Sequence, residues 1–254
     1  MNRVLTVDKI RKEFGGLIAV KDVSFHVYEG HIQSLIGPNG AGKTTIFNLI
    51  NRFFPLTGGQ IYFYNQRIDS RRPHLLSFLG LTRTFQNVQL FPEMTVLENV
   101  MVGCHPRSCA GLLSSAFRLP RVSREEIAIK EKALLELNFI GLYEKANERA
   151  GDLPFGEQRI LEIARGLATE PKLILLDEPA AGLNTHETES LAELIKQIKE
   201  RGITVFMVEH DMGLVMDISD RVMVLNHGEK IAEGTPVEIQ NNPLVISAYL
   251  GEEI

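Results

Sequence analysis

The sequence predicts an α/β protein whose core is a parallel sheet with helical crossovers. Short, wholly apolar runs at 173–176 and 204–208 are typical of strands buried on both faces of such a sheet. A helix pattern lies between the two runs, with apolar residues at spacings of three, four and seven: Leu191, Leu194, Ile195 and Ile198. This succession of strand, helix and strand implies crossovers that return the chain to the same edge of the sheet.

The N-terminal third is predicted to form strands. Val23, Phe25 and Val27 alternate with polar residues, the period of two that a strand with one buried face shows. Further strands are predicted at 61–64 and at 32–36, and the latter runs directly into a glycine-rich loop. A helix is predicted to follow this loop at 44–51 and to end before Pro55.

Helical spacing replaces the strand pattern from about residue 88 to residue 166. Ile127, Leu134 and Leu137 are predicted to share one helix face, after a candidate N-cap at Ser123. The stretch 105–122 has no clear periodicity, contains prolines and serines, and is predicted to be a loop. The sequence therefore predicts a helical insert between the two strand-rich regions.

Composition excludes several classes of protein. Of the 254 residues, 44% are hydrophobic and 23% are charged, which argues against a disordered, collagenous or coiled-coil chain. The longest stretch without a charged residue, 53–66, is shorter than the ~20 residues that cross a bilayer.

The net charge of -5 is spread along the chain, so we expect no binding to nucleic acid. Without a secretion signal at its start, the chain is expected to stay in the cytosol.

A phosphate-binding loop lies between the predicted strand at 32–36 and the helix that follows it. Its residues are Gly37, Pro38, Asn39, Gly40, Ala41, Gly42, Lys43 and Thr44, with Thr45 next in the helix. Glycines suit this loop because its backbone N–H groups must turn inward around phosphate oxygens, which side chains would obstruct. We expect Lys43 to neutralise the β- and γ-phosphates and the Thr44 hydroxyl to hold Mg²⁺.

Two adjacent carboxylates, Asp177 and Glu178, follow the apolar strand at 173–176. Ligands of open α/β sheets bind at the carboxyl ends of the strands. Neighbouring side chains on an extended chain point apart, so the two carboxylates can do different work. We assign Asp177 to Mg²⁺, through water, and Glu178 to the attacking water.

With these motifs in this order, the chain resembles the ATP-binding subunits of ABC transporters, from about Val4 to Gly251. The resemblance implies a P-loop NTPase (RecA-like) parallel-sheet core with an N-terminal antiparallel β subdomain and an inserted α-helical subdomain. Residues 1–254 would form one ATP-binding domain. Its core would span 1–87 and 167–254, and its helical subdomain, which carries the family signature, would span 88–166.

The resemblance also implies roles for three separate residues. Phe14 stands where the family places an aromatic ring that stacks on adenine. Gln86 matches a glutamine that contacts Mg²⁺ and water and forms a hinge toward the membrane partner. His210, after the predicted strand at 204–208, resembles the switch histidine that touches the γ-phosphate.

The family signature departs from its common Leu-Ser-Gly-Gly-Gln form in the segment Leu153 to Arg159. Pro154 replaces the serine and offers neither a hydroxyl nor an N–H group. A hydrogen bond to a charged group contributes ~1.5–3 kcal/mol, so the contact must weaken or come from the N–H groups of Phe155 and Gly156. Glu157 is also assigned to the nucleotide. Asn184 stands where many members have an aspartate.

In the family the signature completes the ATP site of a facing subunit, so two chains clamp two nucleotides between them. The resemblance implies ATP-driven dimerisation, hydrolysis assisted by Glu178, and opening that drives separate transmembrane permease subunits. The partner motor could be the same chain or a paralogue, and a substrate-binding protein would take part indirectly. The motor would lie at the cytoplasmic face of the cell membrane as a peripheral subunit.

The detail most resembles the larger ATP-binding subunit of branched-chain amino acid uptake systems. This rests on the stretch 105–122, the segment 181–184 and the chain end at 231–236 and 248–251. One alternative is a soluble ABC ATPase that acts on ribosomes or DNA, which usually has two cassettes or a coiled-coil insert. Another is a nucleotide-gated module that no longer hydrolyses ATP, suggested by Pro154. The residues that argue against it are Lys43, Asp177, Glu178 and His210.

Overall fold

The protein is described here by a computed structural model, which covers residues 2–84, 86, 88–104 and 120–250. Its contacts divide the chain into two compact units. The first unit comprises Met1–Leu76 and Lys172–Ile254, and the second comprises Ser77–Pro171.

The secondary structure follows in chain order. The strands are β1 (Arg3–Phe14), β2 (Leu17–Tyr28), β3 (Ile32–Ile36), β4 (Gly58–Phe63), β5 (Gln66–Arg67), β6 (Leu81–Arg83), β7 (Leu173–Asp177), β8 (Thr204–Val208), β9 (Arg221–Asn226) and β10 (Glu229–Gly234). The helices are α1 (Lys43–Ile50), α2 (Leu76–Leu79), α3 (Val96–Cys104), α4 (Pro120–Phe139), α5 (Phe155–Leu167), α6 (Thr185–Glu200), α7 (Met212–Ile218), α8 (Pro236–Gln240) and α9 (Pro243–Leu250). Short 3-10 helices lie at Pro73–Leu75, Tyr143–Lys145 and Ala150–Asp152.

An antiparallel sheet in the first unit has the strand order β2-β1-β4-β5. Val23, Phe25 and Val27 on β2 are all buried, so the predicted alternation correctly identified the inner face of this strand. The strand predicted at 61–64 overlaps β4, which ends one residue earlier, at Phe63. Antiparallel pairing allows such a sheet to bury one face and to expose the other.

The second sheet of this unit has the order β10-β9-β3-β8-β7. Strand β3 pairs in parallel with β8 and β9, β7 pairs in parallel with β8, and β10 pairs antiparallel with β9. All five residues of β3, of β7 and of β8 are buried, as expected for strands covered on both faces. The carboxyl ends of these three strands therefore lie at one edge of the sheet, where their following loops meet.

The second unit is helical, and its core is formed by apolar residues of α3, α4 and α5. These include Val96, Val100, Ala133, Leu137, Leu161 and Ala164. The structure corrects two sequence predictions on α4. The helix begins at Pro120, so Ser123 lies inside it and is not its N-cap. Proline's fixed φ suits the first turn of a helix, which explains the earlier start.

The second correction concerns the predicted helix face. Leu137 is fully buried, but Ile127 is 56% exposed and does not belong to the core. Of the stretch predicted as a loop at 105–122, residues 105–119 lie outside the described part of the chain, and residues 120–122 are helical. Among the helices described, none combines the length and the apolar character that a membrane span requires.

Candidate nucleotide-binding site

The loop between β3 and α1 has the backbone that a phosphate cradle needs. Gly37, Gly40 and Gly42 have φ angles of 149°, 76° and 101°, a region that residues with a Cβ atom adopt at a cost. A Cβ atom on Gly37 would overlap the carbonyl oxygen of Leu225, and one on Gly42 would lie 2.5 Å from the carbonyl oxygen of Ala19. Glycine is therefore required at both positions by conformation and by space.

Lys43, the first residue of α1, is directed into the turn of this loop. Its Nζ atom donates hydrogen bonds to the carbonyl oxygens of Gly37 at 2.6 Å and Pro38 at 2.9 Å. The side chain is buried, so its charge acts in a medium less polar than water. An ammonium group in this position is suited to phosphate oxygens that enter the loop.

A cavity of about 450 Å³ opens beside the phosphate-binding loop. It is lined by the loop and the start of α1 (39–45), by the first residues of β2 (17–19), by Glu178, and by the turn at His227 and Gly228. The structure thus brings the predicted loop and the predicted water-activating carboxylate together. The β2 and His227 walls were not predicted, because no sequence motif marks them.

The turn at His227 and Gly228 is joined to the loop by backbone hydrogen bonds. The Gly228 N–H group donates to the carbonyl oxygen of Ala41 at 3.0 Å, and its own carbonyl accepts from the N–H group of Lys21 at 2.8 Å. These bonds connect β2, the β9–β10 turn and the phosphate-binding loop. Residues nearly two hundred positions apart therefore form one wall of the cavity.

Asp177 and Glu178 lie at the carboxyl end of β7. Asp177 is buried, whereas Glu178 lines the cavity and its side chain is 18% exposed. Glu178 has a φ angle of 48°, and its N–H group donates to the carbonyl oxygen of Val208 at 2.9 Å. Such a left-handed conformation is costly for a non-glycine residue and is common at functional sites. The two carboxylates thus have different environments.

His210 follows β8 and lies near Glu178. Its Nδ1 atom is 3.9 Å from Oε2 of Glu178 and 3.8 Å from Oε2 of Glu209, and its side chain is 62% exposed. The structure therefore places the predicted switch histidine beside the predicted water-activating carboxylate. At these distances the histidine is close enough to reach the carboxylate after a small rotation.

Glu209 is a residue whose importance the sequence analysis missed. It is fully buried, and its carboxylate accepts hydrogen bonds from three backbone N–H groups: Ala180 at 2.8 Å, His210 at 2.8 Å and Asp211 at 3.2 Å. One carboxylate thus joins the loop after β7 to the loop after β8. Glu209 directly follows an apolar strand, as Asp177 and Glu178 do. The same rule could therefore have identified it from the sequence.

Phe14 ends β1 and does not line the cavity. Its exposed ring packs edge-on against Phe54, with the ring centroids 5.2 Å apart. The Nζ atom of Lys12 lies 4.7 Å from the Phe14 centroid and donates to the carbonyl oxygen of Pro55 at 3.0 Å. A cation on the ring and an aromatic neighbour fix its orientation.

In the second unit, the signature segment forms the start of α5. Pro154 is the N-cap residue and provides no side-chain hydrogen bond to the helix. Phe155 is exposed and Gly156 is buried in the first turn, whose N–H groups have no partner within a helix. Glu157 pairs with Lys145 at 2.6 Å, and this hydrogen bond raises the pKa of Lys145.

Gln86 also belongs to the second unit, and its carbonyl oxygen accepts a hydrogen bond of 2.6 Å from Nη2 of Arg159. Its neighbours Phe85 and Asn87 lie outside the described residues.

Asn184, in the first unit, is the N-cap of α6. Its Oδ1 atom accepts from the N–H group of Glu187 at 3.0 Å, and Oε2 of Glu187 accepts from the N–H group of Asn184 at 2.9 Å. The Asn184 side chain thus stabilises its own helix.

Comparison with known proteins shows the family to which the sequence is similar. The ABC transporter family matches residues 20–181, and the branched-chain amino acid ATP-binding cassette transporter family matches residues 229–254. The chain is 47% identical over 250 residues to the high-affinity branched-chain amino acid transport ATP-binding protein LivG of Escherichia coli (strain K12), with 98% of each chain covered. It is 46% identical over 250 residues, with the same coverage, to BraF of Pseudomonas aeruginosa, which has the same description.

Two solved structures are similar over most of this chain. The ADP conformation of MJ1267, an ATP-binding cassette of an ABC transporter, has a TM-score of 0.86 and 34% identity, covering 99% of this chain and 100% of that one. A dimeric post-hydrolysis state of the cassette MJ0796 bound to ADP and Pi has a TM-score of 0.77 and 28% identity, covering 91% and 98%.

Proposed function

The chain belongs to the ABC transporter family of ATP-binding proteins, and we propose that it is the ATP-hydrolysing subunit of a branched-chain amino acid importer. One observation carries the ATPase assignment. The phosphate-binding loop and Glu178, which are far apart in the sequence, line one cavity. The transported substrate class is supported by the two relatives, each similar over 98% of its length.

The triphosphate is held mainly by the main chain. Residues 39–45 line the cavity, and the first turn of α1 adds the positive end of its dipole. Lys43 would exchange its hydrogen bonds to Gly37 and Pro38 for bonds to phosphate oxygens. Phe14, at the end of β1, is assigned to the adenine ring.

Thr44, Asp177 and Gln86 are the residues that would hold Mg²⁺. A hydroxyl, a carboxylate and an amide supply the oxygen ligands that this ion prefers. Asp177 is buried at the end of β7 and Thr44 lines the cavity, so both donors belong to the elements that surround the phosphates. When bound, the ion would neutralise negative charge on the β- and γ-phosphates.

Glu178 orients the attacking water and accepts its proton. The carboxylate is close to His210, which is assigned to the γ-phosphate, and Glu209 holds the backbone of both loops in place. Rigid positioning of this kind is the main contribution that a protein makes to phosphoryl transfer.

A second ATP-binding subunit would complete each site with Phe155, Gly156 and Glu157 at the start of its α5. ATP binding closes the pair, and hydrolysis opens it. The opening and closing drive transmembrane permease subunits at the cytoplasmic face of the membrane, with a substrate-binding protein acting indirectly. We infer that both units together form the single ATP-binding domain expected from the sequence.

The experiment is purification of the tagged chain from detergent-solubilised membranes of its own cells. Mass spectrometry of the co-purified proteins should identify permeases and a partner motor. When the purified complex is placed in liposomes, leucine, isoleucine or valine together with the binding protein should stimulate its ATP hydrolysis. Lysine should not. ATP binding without turnover would instead support a nucleotide-gated module, and co-purification with ribosomes would support a soluble ATPase.

A further inference from the structure

We propose that Arg159 and Glu162 on α5 are positioning residues that fix a segment formed by the described residues 86 and 88–91 to the signature helix. Gln86 and the start of α5 would then move as one body during the ATPase cycle. This inference rests on the proposed function, because it assigns a mechanical role to the segment that carries Gln86.

The pair is deeply buried in the second unit. The side chains of Arg159 and Glu162 are only 2% and 1% exposed, and Nη1 of the arginine lies 3.3 Å from Oε2 of the glutamate. Burying two charges is costly, and apolar residues of similar volume often give a protein of equal or greater stability. Leu161 and Ala164 of the same helix belong to the apolar core of this unit, where a buried ion pair is a costly choice.

Each partner reaches the segment with a second atom. Nη2 of Arg159 donates to the carbonyl oxygen of Gln86 at 2.6 Å. Oε1 of Glu162 accepts a longer hydrogen bond, 3.4 Å, from the N–H group of Gln89. The two ends of one ion pair thus hold two main-chain groups of the same segment.

The far end of the segment is held in the same way by α3. Asn99 is fully buried; its Oδ1 atom accepts from the N–H group of Phe91 at 2.9 Å, and its Nδ2 atom donates to the carbonyl oxygen of Phe91 at 3.0 Å. Buried side chains from two helices therefore fix the segment at both ends. We call Arg159, Glu162 and Asn99 the polar frame.

Arg159 also connects this frame to the signature. Its guanidinium carbon lies 5.9 Å from the centroid of the Phe155 ring, within reach of a cation–π interaction with the first residue of α5. The same side chain thus contacts the start of the signature helix and the carbonyl group of Gln86. Through this one guanidinium group, a displacement of the start of α5 would also move Gln86.

The test is the double variant Arg159→Met/Glu162→Leu, which removes both charges and leaves none unpaired. We expect it to fold and to bind ATP with unchanged affinity, because the phosphate-binding loop belongs to the first unit. Hydrolysis stimulated by the permeases should fall about ten- to a hundredfold with little change in KM, as expected for misplacement of a group remote from the chemistry. In the isolated variant, NMR should show faster hydrogen exchange at the Gln89 amide.

The matched control is Lys132→Met/Glu170→Leu, which removes an ion pair of the same unit that is more exposed. It should leave both the stimulated hydrolysis and the hydrogen exchange at the Gln89 amide unchanged. If the double variant melts far below the wild type, Arg159→Lys is examined instead. Lysine keeps the charge but lacks the planar guanidinium group, which can donate to two acceptors at once. This variant should show a smaller loss of stimulated hydrolysis and a smaller increase in hydrogen exchange at Gln89.

Wild-type stimulation combined with wild-type exchange at Gln89 in a folded variant would overturn the inference. An assembled wild-type complex without hydrolysis would instead overturn the proposed function. The exchange measurement needs no activity, so the two failures are distinguishable.

Discussion

The two units hold their functional segments by different means. In the first unit the phosphate site is formed by main-chain groups, and glycines and one lysine make that arrangement possible. In the second unit the segment that carries Gln86 is held by the buried polar frame. Main-chain sites require particular residue types at fixed spacings and are visible as motifs. Side-chain frames join distant positions and leave no such pattern.

Lys43→Ala should have the largest effect, because it removes the only side-chain charge that the loop directs at phosphate. Two hydrogen bonds to a charged group contribute ~1.5–3 kcal/mol each, so ATP affinity should fall about 10²- to 10⁴-fold. Titration calorimetry measures this directly. Lys196→Ala, on the exposed face of α6, should leave affinity unchanged. Wild-type affinity in Lys43→Ala would mean that phosphate binds elsewhere.

Gly37→Ala tests the main-chain half of the comparison. The new methyl group would overlap the carbonyl oxygen of Leu225, at a φ angle of 149°. Urea denaturation should show a loss of about 3 kcal/mol or more in the free energy of unfolding. Gly40→Ala is the control, since no atom beyond its chain neighbours lies within 4 Å of its Cβ position. There only the left-handed conformation is penalised, by about 1–2 kcal/mol. Equal losses would show that space at Gly37 is not limiting.

Glu178→Gln should separate binding from chemistry. The amide keeps the shape of the side chain but cannot accept the proton of the attacking water. Single-turnover hydrolysis should slow by ~10²-fold or more, while ATP affinity stays near that of the wild type. Glu189→Gln, an exposed carboxylate on α6, is the matched control. Unchanged turnover in Glu178→Gln would remove this residue from the role of base.

Pro154→Ser should have the smallest effect, and it tests what the proline at the start of α5 contributes to the second unit. Serine at the N-cap can accept a hydrogen bond from the first turn, which contributes about 1 kcal/mol. The loss of proline's restricted φ offsets this by about 0.4–1 kcal/mol. Thermal denaturation should therefore change little, and stimulated hydrolysis should be equal or slightly faster. Loss of folding would show that the proline serves structure.

Local patterns predicted much of the fold. Strands β3 and β8 have the bounds that the sequence predicted, and α1 begins and ends one residue earlier than expected. These elements are mostly buried, so the protein interior restricts which residue types they can contain, and their sequence pattern is therefore clear. The start of α4 was wrong because the candidate cap at Ser123 competed with the helix-compatible Pro120.

The site was predictable where a motif exists. Glu178 lines the cavity beside the phosphate-binding loop and His210 lies near Glu178, although Phe14 does not line the cavity. Glu209, the turn at His227 and the polar frame were missed, because each depends on partners brought close only by folding. Spacing along the chain contains no information about such contacts.

Sedimentation of the Glu178→Gln variant with and without ATP tests whether two chains enclose the nucleotides. If two chains enclose the nucleotides, the variant should be monomeric without nucleotide and dimeric with ATP and Mg²⁺, and Lys43→Ala should abolish the dimer. A variant that binds ATP tightly but remains monomeric at every concentration reached would contradict the account.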